Sequence, residues 1–188
     1  MLFLIIIIPN FIWFAVPAPN DILRVDSITK AVDTVGSRGN KGGDKMISFS
    51  EYMKRVAETG DEYPLLSLDE FFERNEDEYS LAPNQADEGR PEIAEMYEKF
   101  KSIENHDHIA WIRVFLHDDT EVIEDDEELV LYGDSIIICS DLSADEIEQL
   151  ADCEWLQSGG VSELNLDEYI NFHPEIPKGY SCLEVMWD

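Results

Sequence analysis

The sequence predicts an α+β domain over residues 46–188: an antiparallel sheet of about four strands with helices packed mainly on one face. Three observations carry this. Serines followed three residues later by glutamate recur at Ser48/Glu51, Ser67/Glu70 and Ser143/Glu146, the pattern in which both side chains satisfy free amides at a helix start. Ile109–Leu116 reads I-A-W-I-R-V-F-L, a strand-length apolar run. Two further β-rich runs flank Gly133-Asp134.

In chain order, Ser48 opens a helix whose Phe49, Tyr52, Met53 and Val56 share a face, and Gly60 ends it. Ser67 opens a short helix through Leu68, Phe71 and Phe72 that ends near Asn75. The strongest helix begins at Pro91, a favoured first position, and places Ile93, Met96, Tyr97, Phe100 and Ile103 on one stripe. Ile109–Leu116 is apolar on both faces and is expected in the sheet interior. Glu121-Val-Ile reads as part of another strand within an acidic connection. Leu129–Tyr132 and Ser135–Ser140 are expected to form a hairpin around Gly133-Asp134. A helix follows from Ser143 with Ile147 and Leu150 inward. Residues 159–179 read as a loop with a turn of helix near Leu166–Ile170, and Ser181–Trp187 is the last strand.

Residues 1–45 are of a different character and read as a non-domain extension. Leu2–Val16 is apolar but interrupted at Pro9 and Asn10, too short and broken for a standard span of roughly 20 residues. It lacks the basic start of a signal peptide, and Gly36–Lys45 has a linker's composition. Lys41-Gly-Gly-Asp-Lys-Met46 is a peptide that AAA GGA GGT GAT AAA ATG would encode, a string containing a bacterial ribosome-binding site. The expectation is that residues 1–45 are translated upstream sequence and that the native start is Met46. The alternative is a genuine apolar leader with a linker.

Charge is the dominant compositional feature. Forty-two acidic residues oppose 13 basic ones, for a formal −29. The first 45 residues are nearly neutral, so the acidic domain carries about −30. Such a field excludes nucleic acid and anionic membranes, which are held by Lys and Arg, and it fits a basic protein partner. Asp118, Asp119, Asp125, Asp126, Glu127 and Glu128 are the candidate steering residues, with Glu73–Glu78 as a second acidic patch. If helices cover only one sheet face, Trp111 and Phe115 emerge on the other as aromatic anchors.

Catalytic patterns are not evident. There is no G-x-S-x-G or C-x-x-C, no H-x-x-x-H or H-E-x-x-H spacing for zinc, and no glycine between Asp118 and Glu128 for a calcium loop. Gly36–Gly43 lacks a Walker lysine-serine pair, and His106, His108, His117 and His173 read as solvated. Cys139 and Cys182 sit in apolar runs as small core residues, and with Cys153 they make no disulfide framework. No cofactor or metal is expected, and the cysteine usage fits the cytosol.

Ser67-Leu-Asp-Glu-Phe-Phe-Glu-Arg-Asn75, the following Glu76–Asn84 and the tail Pro177–Asp188 resemble segments of small uncharacterised bacterial acidic proteins. That resemblance implies no activity and transfers no catalytic residue. In size, acidity and α+β pattern the domain also loosely resembles immunity proteins of bacterial toxin systems, which implies an inhibitor that masks a basic toxin such as a nuclease. The alternatives are a housekeeping domain whose acidity serves solubility, or a hydrolase or metal-dependent enzyme gathering His117, Cys139 or several carboxylates.

Whatever its role, a domain with this charge is destabilised by self-repulsion that salt screens. Its melting temperature should rise with added sodium chloride; a flat or falling response in a thermal scan would show that the carboxylates are already paired.

Overall fold

Local hydrogen bonding starts the helices and two apolar layers fix where they pack. The computed structural model describes residues 46–60, 63–85 and 89–187. The readings of Leu2–Val16, of the Gly36–Lys45 linker and of a start at Met46 concern residues at or before the edge of this range, and the 1–45 extension lies outside the described residues. Eleven regular elements follow in order: α1 (Phe49–Thr59), α2 (Leu68–Phe72), α3 (Ile93–Glu104), β1 (Ile109–Leu116), β2 (Glu121–Ile123), β3 (Glu128–Val130), β4 (Gly133–Ser140), α4 (Ala144–Ala151), α5 (Cys153–Leu156), β5 (Gly160–Leu164) and β6 (Ser181–Met186). Short 3-10 turns lie at Pro83–Gln85, Glu124–Asp126 and Leu166–Glu168.

The caps form with two differences from expectation. Ser67 and Ser143 make reciprocal boxes with Glu70 and Glu146. At α1 only half of the box forms: Ser48 Oγ accepts from the Glu51 amide, while the Glu51 carboxylate lies 3.9 Å from Lys54 and from Arg55. In α3 the helix starts after Pro91, at Ile93, with the extended Glu92 as its cap, and Glu78 Oε2 accepts from the otherwise free Ile93 amide at 2.8 Å. Gly60 ends α1 in the left-handed conformation, as its position predicts.

Ion pairs then join the helices. Arg55 of α1 grips the Glu70 carboxylate of α2, with Nη1 donating to Oε2 at 3.1 Å, and the Ser67 amide donates to the same oxygen. Burial alone would raise the Glu70 carboxyl, but Arg55 and Ser67 hold it below its ordinary value. Lys101 of α3 reaches Asp69 at 2.9 Å and Glu104 at 2.7 Å. Tyr97 donates to Asp69 at 2.9 Å, and burial together with that carboxylate pushes its phenol up to about 12.

Four strands form one antiparallel sheet in the order β1-β4-β6-β5, and β2 and β3 pair separately. Ile112, Val114, Ile136, Ile138, Leu183 and Val185 face the helices, where they meet Tyr52, Phe71, Met96, Phe100 and Ile147. The opposite face presents Trp111, Ile137, Cys139 and Cys182 to Leu65, Leu166 and Ile170. Helices therefore do pack on one face, and the β5–β6 loop covers the other. Each large apolar side chain buried in this way contributes roughly 1.5–3 kcal/mol.

Three strand expectations are corrected. β1 is an edge strand in the ladder rather than an interior one. Its apolar residues are covered on both faces, and its free edge is partly closed by Leu66, which exchanges hydrogen bonds of 3.1 and 2.8 Å with Val114. Residues 129–132 do not pair with 135–140. β3 pairs with β2, and β4 itself begins at Gly133. Residues 160–164 form β5, which residues 159–179 read as a loop had hidden.

Gly133 explains the misread hairpin. It has no positive φ, and the reason for glycine is space. A Cβ there would lie 2.9 Å from Leu81 Cδ1, 2.9 Å from Val114 Cγ1 and 3.0 Å from Phe71 Cζ. Its backbone also accepts from Ala82 and donates to Ser80, both at 2.7 Å. Since all three crowding side chains are fully buried, Gly133→Ala should cost about 1–3 kcal/mol through overpacking. A urea midpoint equal to that of the unmodified protein would rule out this tight approach.

Candidate functional site

The β2–β3 hairpin gathers the acidic candidates. Thr120 ties its base: Oγ1 donates to the Tyr132 carbonyl at 3.1 Å and accepts from the Tyr132 amide at 3.2 Å. Val122 and Leu129 are register partners and pack against the helix-side core, which leaves Glu121 and Glu128 outward. At the tip, Glu124–Asp126 make a 3-10 turn and Glu127 adopts φ 51°. Asp118 and Asp119 lie in the turn that enters the hairpin. All six predicted acidic residues are exposed. Among the described residues no Lys or Arg pairs with any of them; His117 Nδ1 is 3.4 Å from Asp119 Oδ2.

Sequence explains the missing counter-charges. Beyond Arg113 the only Lys or Arg is Lys178. The six carboxylates therefore stand in a stretch with almost no basic side chain, His117 beside Asp119 excepted.

The aromatic candidates are placed elsewhere. Trp111 and Phe115 do lie on the sheet face away from the helices, but residues 165–180 cover that face. Trp111 is 8% exposed and its Nε1 donates to the Glu175 carbonyl at 3.0 Å, so it does not emerge among carboxylates as expected. Phe115 is half-buried beside it. Among the described residues the exposed large aromatics are Tyr79, Trp155, Tyr169 and Phe172.

The thiols and imidazoles show what an enzymatic reading would have to use. Cys139 and Cys182 are direct register partners, both buried. The hydrogen bond to Cys139, with burial, pushes the Cys182 thiol far above its ordinary range, which opposes its ionisation as a nucleophile. His117 Nδ1 accepts from the Asp119 amide at 3.0 Å, and no histidine is among the groups acting on Cys139. His108 sits 2.8 Å from Asp141. Among the described residues no three His, Cys, Asp or Glu side chains are arranged to hold a metal ion, and no helix is long and apolar enough to cross a membrane.

A family model matches residues 47–185. The chain belongs to the Uncharacterized protein YfbO family. The match takes in every element from α1 to nearly the end of β6, and so covers both the sheet and the acidic hairpin of this YfbO-family chain. No curated protein and no solved structure matches it.

Two features of the YfbO-family chain escaped sequence reasoning. Arg113 is an arginine within an otherwise apolar strand, a signal visible in I-A-W-I-R-V-F-L but not weighed. His173 read as solvated, yet it is largely covered. Its Nδ1 is 2.8 Å from the Pro174 carbonyl and its Nε2 3.1 Å from Asp167 Oδ1. Both ring nitrogens face acceptors, a need that only the doubly protonated ring meets, so the Pro174 carbonyl and then Asp167 raise its pKa above 6.5. The stabilisation this gives the β5–β6 loop is present below 6.5 and is lost as pH rises through the folded-state pKa. An NMR titration of His173 should give a midpoint above 6.5 that falls part of the way back in Asp167→Ala; an unmoved midpoint would show that Asp167 does not hold the proton.

Proposed function

We propose that the acidic domain is a protein-binding module that docks its β2–β3 hairpin on a basic partner, as an immunity-type inhibitor would mask a basic toxin. The single observation that supports this most is the exposed hairpin bearing Asp118, Asp119, Asp125, Asp126, Glu127 and Glu128 without a Lys or Arg partner among the described residues. A surface of this kind loses little of its own bonding on docking, because among the described residues its carboxylates make no ion pair with Lys or Arg that has to break. Opposite fields speed the encounter, and charges brought to a partner's cationic face occlude the groups that would hold phosphate. The Thr120–Tyr132 clamp and the Val122–Leu129 contact hold the hairpin in a defined pose, which lowers the ordering cost of binding.

The test is capture from the native host, followed by stopped-flow association with the captured protein and with a variant carrying Asp125→Asn, Asp126→Asn, Glu127→Gln and Glu128→Gln. One basic protein should be retained at low salt, with an association rate that falls at least about tenfold at moderate salt and that falls similarly in the neutralised variant. Association indifferent to ionic strength, or equal in the variant, would defeat the proposal.

A further inference from the structure

Three segments far apart in sequence meet at the open edge of β1. They are the C-terminal end of α1, the Pro64–Leu65 strap that precedes α2, and residues 172–175 of the β5–β6 loop, with Arg113 between them. Together they line a cleft of about 490 Å³ whose walls are mostly apolar, within the size range of small-molecule sites.

Arg113 is the unusual member. Its guanidinium is mostly withdrawn from water, and burial disfavours its charge, yet an arginine stays protonated in a protein. It uses one of its five donors internally, Nη1 to the Ile112 carbonyl at 2.6 Å, and lies over the Trp111 ring at 5.9 Å from the centroid. Among the described residues no carboxylate reaches it within ion-pair distance. Glu104 and Glu70 act on it only at longer range, and each is already engaged, Glu104 by Lys101 and Glu70 by Arg55 and Ser67. Arg55 also lines the cleft but is paired with Glu70; in a domain of about −30, where carboxylates are abundant, Arg113 is left without a carboxylate of its own among the described residues.

The cleft's chemistry narrows the ligand. A planar fork with free donors matches a carboxylate in a two-point contact. Glu58 and Glu175 also line the cleft and repel a dianion more than a monoanion. Pro64, Leu65, Pro174 and the two-thirds-exposed Phe172 give apolar surface for the rest of the molecule. His173 contributes little directly, because both its nitrogens are occupied by Asp167 and Pro174.

We propose that this cleft binds a small organic monocarboxylate, with the carboxylate in the fork of Arg113 and an apolar body against Leu65, Pro174 and Phe172. The site is separate from the acidic hairpin, so neutralising the hairpin leaves it intact.

The experiment is an NMR titration of the full chain with benzoate and with phenylacetate, and in parallel with inorganic phosphate. The reporter is the Trp111 indole N–H, which lies under Arg113 and bonds to Glu175 of the cleft. A saturable shift with either carboxylate and little with phosphate is expected. Arg113→Met should weaken binding at least about tenfold, and Arg113→Lys should fall between. Glu58→Gln, on the exposed side of α1, leaves the core untouched and should tighten carboxylate binding about twofold or more by removing a like charge. It carries the test if the Arg113 variants do not fold. Non-saturating shifts, equal affinity for phosphate, or binding that neither Arg113→Met nor Glu58→Gln alters would overturn the proposal.

Discussion

Ile136 and Ile138 enter one apolar layer while Ile137 and Cys139 enter another, so β4 has to be covered on both faces at once. The rest of the fold follows from that demand. Five helices bring aromatic and aliphatic side chains to the first face. The second receives a long loop anchored by Leu166 and Ile170, four residues apart on one turn, and by the Trp111–Glu175 hydrogen bond. On the ladder, β1 and β6 close the two edges of β4. Its first residue is pressed so closely by Phe71, Leu81 and Val114 that a Cβ would force them to shift, and its backbone bonds to Ser80 and Ala82 hold the segment before α3 against the sheet.

Charge imposes the second constraint. Few cations are available, and those in ion pairs lie chiefly in the helical layer. Arg55 joins α1 to α2, and Lys101 joins α3 to Asp69 of α2. Arg90 spends its guanidinium on the carbonyls of Leu81 and Glu78, fixing the chain that leads into α3. The part of the chain from β2 onward has almost no basic residue, so the partners of its carboxylates among the described residues are chiefly caps, histidines and neutral donors such as Ser135 on Glu184. Neutralisation is thus concentrated where helices must be held together, and the hairpin remains strongly anionic.

What could be read from the sequence was what is written locally. The Ser-x-x-Glu starts, the stripe from Ile93 to Ile103, Gly60 and the run from Ile109 to Leu116 each encode their element within a few residues. Although the β2–β3 pairing was not anticipated, the acidic cluster itself was legible because its carboxylates lie close together in sequence. β5 was not, since Gly-Val-Ser-Glu-Leu is half-covered throughout and shows no alternation, and α5 is a four-residue turn. Gly133-Asp134 has the composition of a tight turn, and nothing local shows that the glycine is demanded by three distant side chains. The cleft was illegible for the same reason: Arg55, Leu65, Arg113 and Phe172 meet only through tertiary structure. The loop and its turn near Leu166–Ile170 were legible, but its cover of the sheet was not, because irregular backbone leaves no periodic trace.

The sheet order has a consequence for how such a chain is made. β6 lies between β4 and β5, yet the ribosome delivers it after both. Until residues 181–186 emerge, β4 has a bare backbone edge beside three consecutive isoleucines, and β5 has no partner. Nascent chains of this kind expose a sticky template while synthesis is still under way. Like charges on neighbouring chains oppose such edge-to-edge contact, and the domain that carries this template is densely negative.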